Sequence, residues 1–137
     1  MTTERGWKTP RISKLGRPHW EAARRGRLSI QHCRDCGKYI HYPSSLCENC
    51  LSENLEWQEV SGRGTVESFS TVHRAFSPEF AADVPYTVAL VRLEEGILLL
   101  TWLAEVAPEE AAFGMRVEVV FEEISDEISL HRFRPSA

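Results

Sequence analysis

Four cysteines carry the most specific chemical signal in this 137-residue chain, and it has no others. They stand as Cys33-Arg34-Asp35-Cys36 and, after the stretch 37–46, as Cys47-Glu48-Asn49-Cys50. Two residues between cysteines let a tight turn aim both sulfurs at one point, and a second such turn completes a tetrahedron of thiolates. The spacing predicts a structural zinc ribbon with Cys33, Cys36, Cys47 and Cys50 as the metal ligands. Four protein ligands fill a zinc shell and leave no position for a substrate or an activated water, so the metal is expected to stabilise the fold. Disulfides are the competing use of four cysteines. The polar stretch 1–14, without an apolar segment, offers no secretory signal and argues against them. Four thiolates also bind iron in the same geometry or can serve redox chemistry, and spacing alone leaves zinc against iron open. His32 and His41 are near enough in sequence to replace a cysteine, although the thiolates already suffice.

Little else in the chain has the makings of a catalytic set. Ser68, Ser70 and Thr71 precede His73, but alternation along a strand puts Thr71 and His73 on one face without a motif that would activate a hydroxyl. The acidic run Glu122, Glu123, Asp126 and Glu127 reads as a solvated turn between strands, with no apolar pocket to separate two carboxyl pKa values. Gly62-Arg63-Gly64 is too short for a phosphate-binding loop. The site residues expected from composition and spacing are therefore metal ligands, with no catalytic residue.

The elements that must hold the cysteines follow from periodicity. Pro18 suits a first helical turn, Trp20 and Ala23 share a face, and Gly26 is a natural stop, which predicts a short helix over 18–25. Leu28 and Ile30 alternate with Ser29 and Gln31 as a strand running into the first cysteine turn. Residues 39–43 return as the second arm of that hairpin. Leu55, Trp57 and Val60 lead to a period-2 strand over 65–72, with the glycines around Arg63 marking a bulge or bend. Residues 73–85 form a long loop, and long ordered loops are commonly functional. A hairpin over 86–103 turns at Glu94-Glu95-Gly96, a helical turn follows near 108–113, and strands over 116–121 and 128–133 finish the chain. The fold class is mainly β: a short N-terminal helix, a rubredoxin-like zinc ribbon, then a five-stranded OB-fold barrel. The corresponding division is an arm and helix over 1–27, the ribbon over 28–56 and the OB-fold domain over 57–137.

Charge and hydropathy narrow the partners. The chain carries a net charge of -4 with 42% hydrophobic residues, and no apolar run approaches the roughly 18 residues of a membrane span. Reduced cysteines, zinc and the absent signal segment together lead to a cytoplasmic protein as the expectation. The basic residues concentrate before residue 39, so the front end could meet an acidic surface, nucleic acid or the phosphates of a cofactor. OB barrels often bind single strands, which requires a basic groove interleaved with aromatics. Here the barrel half is acidic and Phe69, Trp102, Phe113 and Phe121 fall where a core would claim them, so nucleic acid is the weaker expectation.

Taken together, Pro18-His19-Trp20-Glu21, Arg27-Leu28, Cys33-Arg34-Asp35-Cys36-Gly37, Tyr42-Pro43, Cys47-Glu48-Asn49-Cys50, Ser61-Gly62-Arg63-Gly64-Thr65-Val66, Val72-His73-Arg74-Ala75-Phe76, Val84-Pro85-Tyr86 and Phe133-Arg134-Pro135 resemble the DUF35 family. Leu51 departs from the pattern, standing where many members carry glycine. The resemblance covers about residues 10–135 and implies a non-catalytic accessory subunit, a zinc-binding companion of a thiolase-fold or acyltransferase-type enzyme. Benzoylsuccinyl-CoA and acetoacetyl-CoA thiolases are examples of such enzymes. It further implies help in holding a CoA thioester as shared ligand; the contacts expected for that ligand are His73 and Arg74 at its phosphates, because arginine makes charge-assisted bonds to phosphate, and Phe76 and Tyr86 along the pantetheine arm. The alternatives are a single-stranded nucleic-acid-binding protein and a stand-alone acyl-CoA hydrolase.

Overall fold

The computed structural model describes residues 9–136. Residues 1–8, the front of the expected arm with Arg5 and Lys8, lie outside that span. The chain runs irregularly to Ser13, whose hydroxyl accepts the Gly16 N–H at 3.0 Å as α1 (Arg17–Arg24) begins. Pro18 occupies the first turn, where a missing donor is harmless and its fixed φ is already helical. At the other end Gly26 takes φ +75°, its N–H bonds the Ala23 carbonyl, and the Arg27 N–H reaches back to Ala22. This paired closure is a Schellman cap, which is why the helix stops at the glycine that predicts its end.

Two antiparallel sheets follow. The first joins β1 (Ser29–Cys33), β2 (Tyr39–Ile40) and β3 (Leu55–Glu59) in the order β2-β1-β3, with Gln31 between Ile40 and Trp57. The second contains β4 (Arg63–Val72), β5 (Tyr86–Leu93), β6 (Leu98–Trp102), β7 (Arg116–Glu123) and β8 (Ser129–Pro135) in the order β6-β5-β4-β7-β8. Its ends meet where Leu103 bridges Phe133 and the Ala104 N–H bonds the Phe133 carbonyl at 2.7 Å, so the sheet nearly closes. A single 3-10 turn, Pro108–Glu110, separates β6 from β7. That is the five-stranded OB arrangement expected from strand count and order.

β4 curves to serve both halves of the barrel, pairing with β7 over Arg63, Gly64 and Thr65 and with β5 along its length. The expected bulge lies further along than the glycines: the register slips between Val66 and Ser68 and leaves Glu67 as the extra residue. Gly64 has a different duty, since a Cβ there would run into the backbone carbonyl of Arg92 on β5. The core joins both sheets, with Leu28 and Ile30 packed among Val66, Val91, Leu99, Val117 and Phe133. Ala22 and Ala23 are buried, and their small side chains let α1 sit close against β1 and β8.

Three details correct the expectations. Phe113 is 72% exposed rather than core, lying tilted on Phe69 with ring centroids 5.0 Å apart. Trp102 is only partly buried, because it faces out of the barrel between two other side chains. Glu122 and Glu123 belong to β7 rather than to the turn, and the Arg132 side chain donates to Glu122 at 3.1 Å. Outward positions of a barrel strand tolerate charge, so an acidic pair there does not mark the strand's end.

Candidate functional site

The ribbon is built as two matching turns. In each, the residue after the second cysteine is left-handed, Gly37 at φ +80° and Leu51 at φ +63°, and its N–H bonds the carbonyl of the first cysteine at 2.9 and 2.8 Å. Backbone N–H groups of Cys36 and Asn49 approach the sulfurs of Cys33 and Cys47 at 3.5 and 3.4 Å. The four sulfurs lie within 4.8 Å of one another, with Cys33 3.6 Å from Cys50 and Cys36 3.5 Å from Cys47. Tetrahedral zinc with Zn–S near 2.3 Å separates its sulfurs by about 3.8 Å, whereas a disulfide needs about 2.05 Å. The donor set therefore fits a zinc ion and excludes two disulfides in this arrangement.

The electrostatics of the cage fit a cation as well. The Lys38 N–H, helped by the Asn49 side chain, lowers the Cys36 thiol to about 6. Cys50 accepts the Ser52 N–H, yet burial and the neighbouring sulfurs push its thiol up to about 12. Crowded thiols resist losing every proton unless a positive charge compensates, and a divalent ion supplies it. Cys33 and Cys47 are fully buried while Cys36 and Cys50 are exposed, so the cage sits at the tip of the ribbon. His32 is not a ligand: its Nδ1 lies 2.9 Å from Glu56 and its ring packs on Tyr39. His41 faces elsewhere, beside Tyr42 in a cavity behind the ribbon.

His73, Arg74 and Phe76 share one surface, an open depression of about 560 Å³ beyond the end of β4. Phe76 is 89% exposed. Arg74 has no carboxylate partner among the described residues, unlike Arg63, Arg92, Arg132 and Arg134, each of which is ion-paired. Tyr86 stands apart from them. Its ring stacks on Trp102 at 4.0 Å, Arg132 covers the other face of Trp102 at 4.4 Å, and this cluster borders a separate cavity of about 290 Å³. Neither Trp102, which reads as core in the sequence, nor Arg132 is among the site residues expected from the sequence. Trp102 pairs with Val88, which makes Tyr86 its diagonal neighbour across the β5–β6 pair, a relation visible only once the register is known.

A four-thiolate ribbon sharing its core with an OB barrel defines a zinc-ribbon and OB-fold protein. Residues 20–56 match the profile described as ChsH2, rubredoxin-like zinc ribbon domain, and residues 57–122 that described as ChsH2, C-terminal OB-fold domain. A DUF35 domain-containing scaffold protein of Pyrococcus furiosus is 41% identical over 96 residues, covering 66% of this chain and 70% of that protein. The chain belongs to the DUF35 family. A probable enoyl-CoA hydratase alpha subunit of Thermomonospora curvata is 37% identical over 127 residues, 93% of this chain, but this chain spans only 39% of its length. The benzoylsuccinyl-CoA thiolase subunit BbsA of Geobacter metallireducens is 32% identical over 76 residues, 56% of this chain and 49% of BbsA. Among solved structures, a chain of the Ltp2-ChsH2(DUF35) aldolase superposes with a TM-score of 0.84 at 36% identity, over 94% of this chain and 100% of that one. No helix among the described residues is long and apolar enough to cross a membrane.

Proposed function

We propose that this protein is a non-catalytic, zinc-binding accessory subunit of a cytoplasmic acyl-CoA enzyme of the thiolase or acyltransferase type. In this role it scaffolds the enzyme and contributes to holding the CoA thioester. The observation that carries the reading is the superposition over the whole length of a chain of the Ltp2-ChsH2(DUF35) aldolase. The names of the hydratase and thiolase relatives, both subunits, support an enzyme as the partner. The closed thiolate cage supports a structural metal, because its four donors complete the shell.

The CoA contact rests on the 73–76 surface. An arginine with no carboxylate partner among the described residues, beside a histidine, suits a phosphate, since guanidinium forks match phosphate oxygens and charge-assisted bonds are the stronger kind. Tyr86, stacked on Trp102, is separated from that surface and would act only at the far end of an extended ligand. The test is to express the tagged chain in its native host, identify what co-purifies, and assay the chain alone and in the complex for thioester turnover. A thiolase-fold partner with turnover confined to the complex is the expected result. Enzyme-like thioester cleavage by the isolated chain would overturn the reading.

A further inference from the structure

A second cavity, of about 290 Å³, lies where α1, the ribbon and β8 meet, and it shares no residue with the 73–76 surface. Its wall is mostly apolar, with Trp20, Trp57, Ile30 and Ile40 contributing, and three histidines line it: His19 from α1, His41 just after β2 and His131 from β8. The mouth is rimmed by Tyr42 and Leu15, which are 68% and 42% exposed. Three imidazoles from three separate elements converge here, His19 standing edge-on to His131 with ring centroids 6.0 Å apart.

One hydrogen bond fixes what His131 presents. His131 Nε2 lies 3.2 Å from the Leu100 carbonyl, which can only accept, so Nε2 carries the proton and Nδ1 is left as an acceptor. No buried side-chain nitrogen or oxygen among the described residues lacks a partner, so an Nδ1 without one is not sealed in the interior, and His131 lines the cavity. At His19 burial is the larger influence, lowering its pKa, and the nearby Ser29 backbone only partly offsets it. Burial lowers the pKa of all three rings, His41 and His131 to about 4, so at neutral pH they are uncharged in a mostly apolar wall. The nearby amide of Gln31 is spent, bonded in both directions to the backbone of Ser44 at 3.0 and 2.7 Å.

We propose that this cavity is a binding site for a small, uncharged, ring-sized molecule carrying one hydrogen-bond donor, a phenol- or indole-like compound, with His131 Nδ1 as its acceptor. Size supports the class: a dry cavity of about 150 Å³ holds benzene, so this one accommodates a substituted or fused ring. Charge selects within it. A carboxylate would bring its charge into a mostly apolar wall with no cationic side chain among the lining residues, and an ammonium would lose its water to the same wall.

The experiment is an amide NMR titration of the zinc-loaded full chain at pH 7 with p-cresol, indole, toluene, benzoate and benzylamine. Saturable shifts confined to 13–20, 29–31, 40–43 and 131 are expected for p-cresol and indole, with benzoate and benzylamine at least about ten-fold weaker. One neutral hydrogen bond separates p-cresol from toluene by roughly five-fold in affinity. His131→Phe keeps a ring in the wall but removes the acceptor, so it should bring p-cresol down to the level of toluene. Absence of saturable binding by p-cresol and indole overturns the proposal, as does equal binding of p-cresol and toluene to the unaltered chain, a comparison that needs no variant to fold.

Discussion

Removing the metal should unfold the tip of the ribbon and leave the barrel standing. The reason is the division of the core. Leu28 and Ile30 are packed with the barrel, whereas beyond them the ribbon has only Ile40, the two buried cysteines and a half-buried Leu55. Burying two aliphatic side chains is worth about 4 kcal/mol, and the two Gln31–Ser44 hydrogen bonds add about 2 kcal/mol. Against this, residues 41–54 carry no strand, and ordering them costs about 1 kcal/mol each, roughly 14 kcal/mol in all. The shortfall of about 8 kcal/mol is within what a structural zinc ion supplies, about 10–16 kcal/mol.

The perturbation is chelation, or Cys47→Ser, read by amide NMR and hydrogen exchange. Amides of 34–54 should collapse to unfolded shifts and lose protection. Those of Val66, Val91, Leu99, Val117 and Phe133 should stay dispersed, because their packing contains no cysteine. Zinc added back should restore the first group. Retained order at the tip without metal would refute the reasoning, and so would loss of the barrel in the same step.

Three further outcomes follow from particular residues. Leu51→Gly should stabilise the zinc-loaded protein by about 0.5–1 kcal/mol in thermal melts, because a left-handed leucine costs more than glycine's lost entropy and the 72% exposed side chain packs on little; a lower Tm would contradict this. His41 and His131 bind protons less readily folded than unfolded, their values falling from the ordinary 6.5 to about 4, so their contribution is complete above about pH 6.5 and is lost as pH falls toward 4. Urea melts at saturating zinc should show a loss of up to about 2 kcal/mol per histidine across that window, and a shallower slope for His131→Phe. Arg74→Ala should weaken CoA binding by the assembled complex about ten-fold in calorimetry, the worth of one charge-assisted bond; unchanged affinity removes Arg74 from the site.

What the sequence disclosed was local in origin. The cage is legible because Cys-x-x-Cys turns and tetrahedral thiolates have one geometry wherever they occur, and Gly26 and Gly37 mark their turns because each needs a positive φ. Strand alternation located the barrel strands for the same reason. What stayed hidden depends on distant residues. Phe113 reads as core by hydrophobicity but lies past the 3-10 turn Pro108–Glu110, where no strand pairs with it and it covers Phe69 from outside. Tyr86 follows the same loop as Phe76, yet the β5–β6 register turns it onto Trp102. The three histidines share no local period at all, being gathered by the docking of α1 across β1 and β8.

That docking ties the two halves of the molecule together in a testable way. The histidine cavity takes one wall, Ile40 to Pro43, from the segment the metal orders, and another, His131, from the barrel that stands without it. Chelation should therefore open one side of the cavity while leaving the Leu100–His131 hydrogen bond in place. An intact cavity after loss of the cage would mean that Gln31, bonded to Ser44 from within β1, holds the 40–44 segment without help from the metal. The ribbon's influence on the barrel face then runs through a single buried amide, and Gln31→Leu in the zinc-loaded protein should release the same wall.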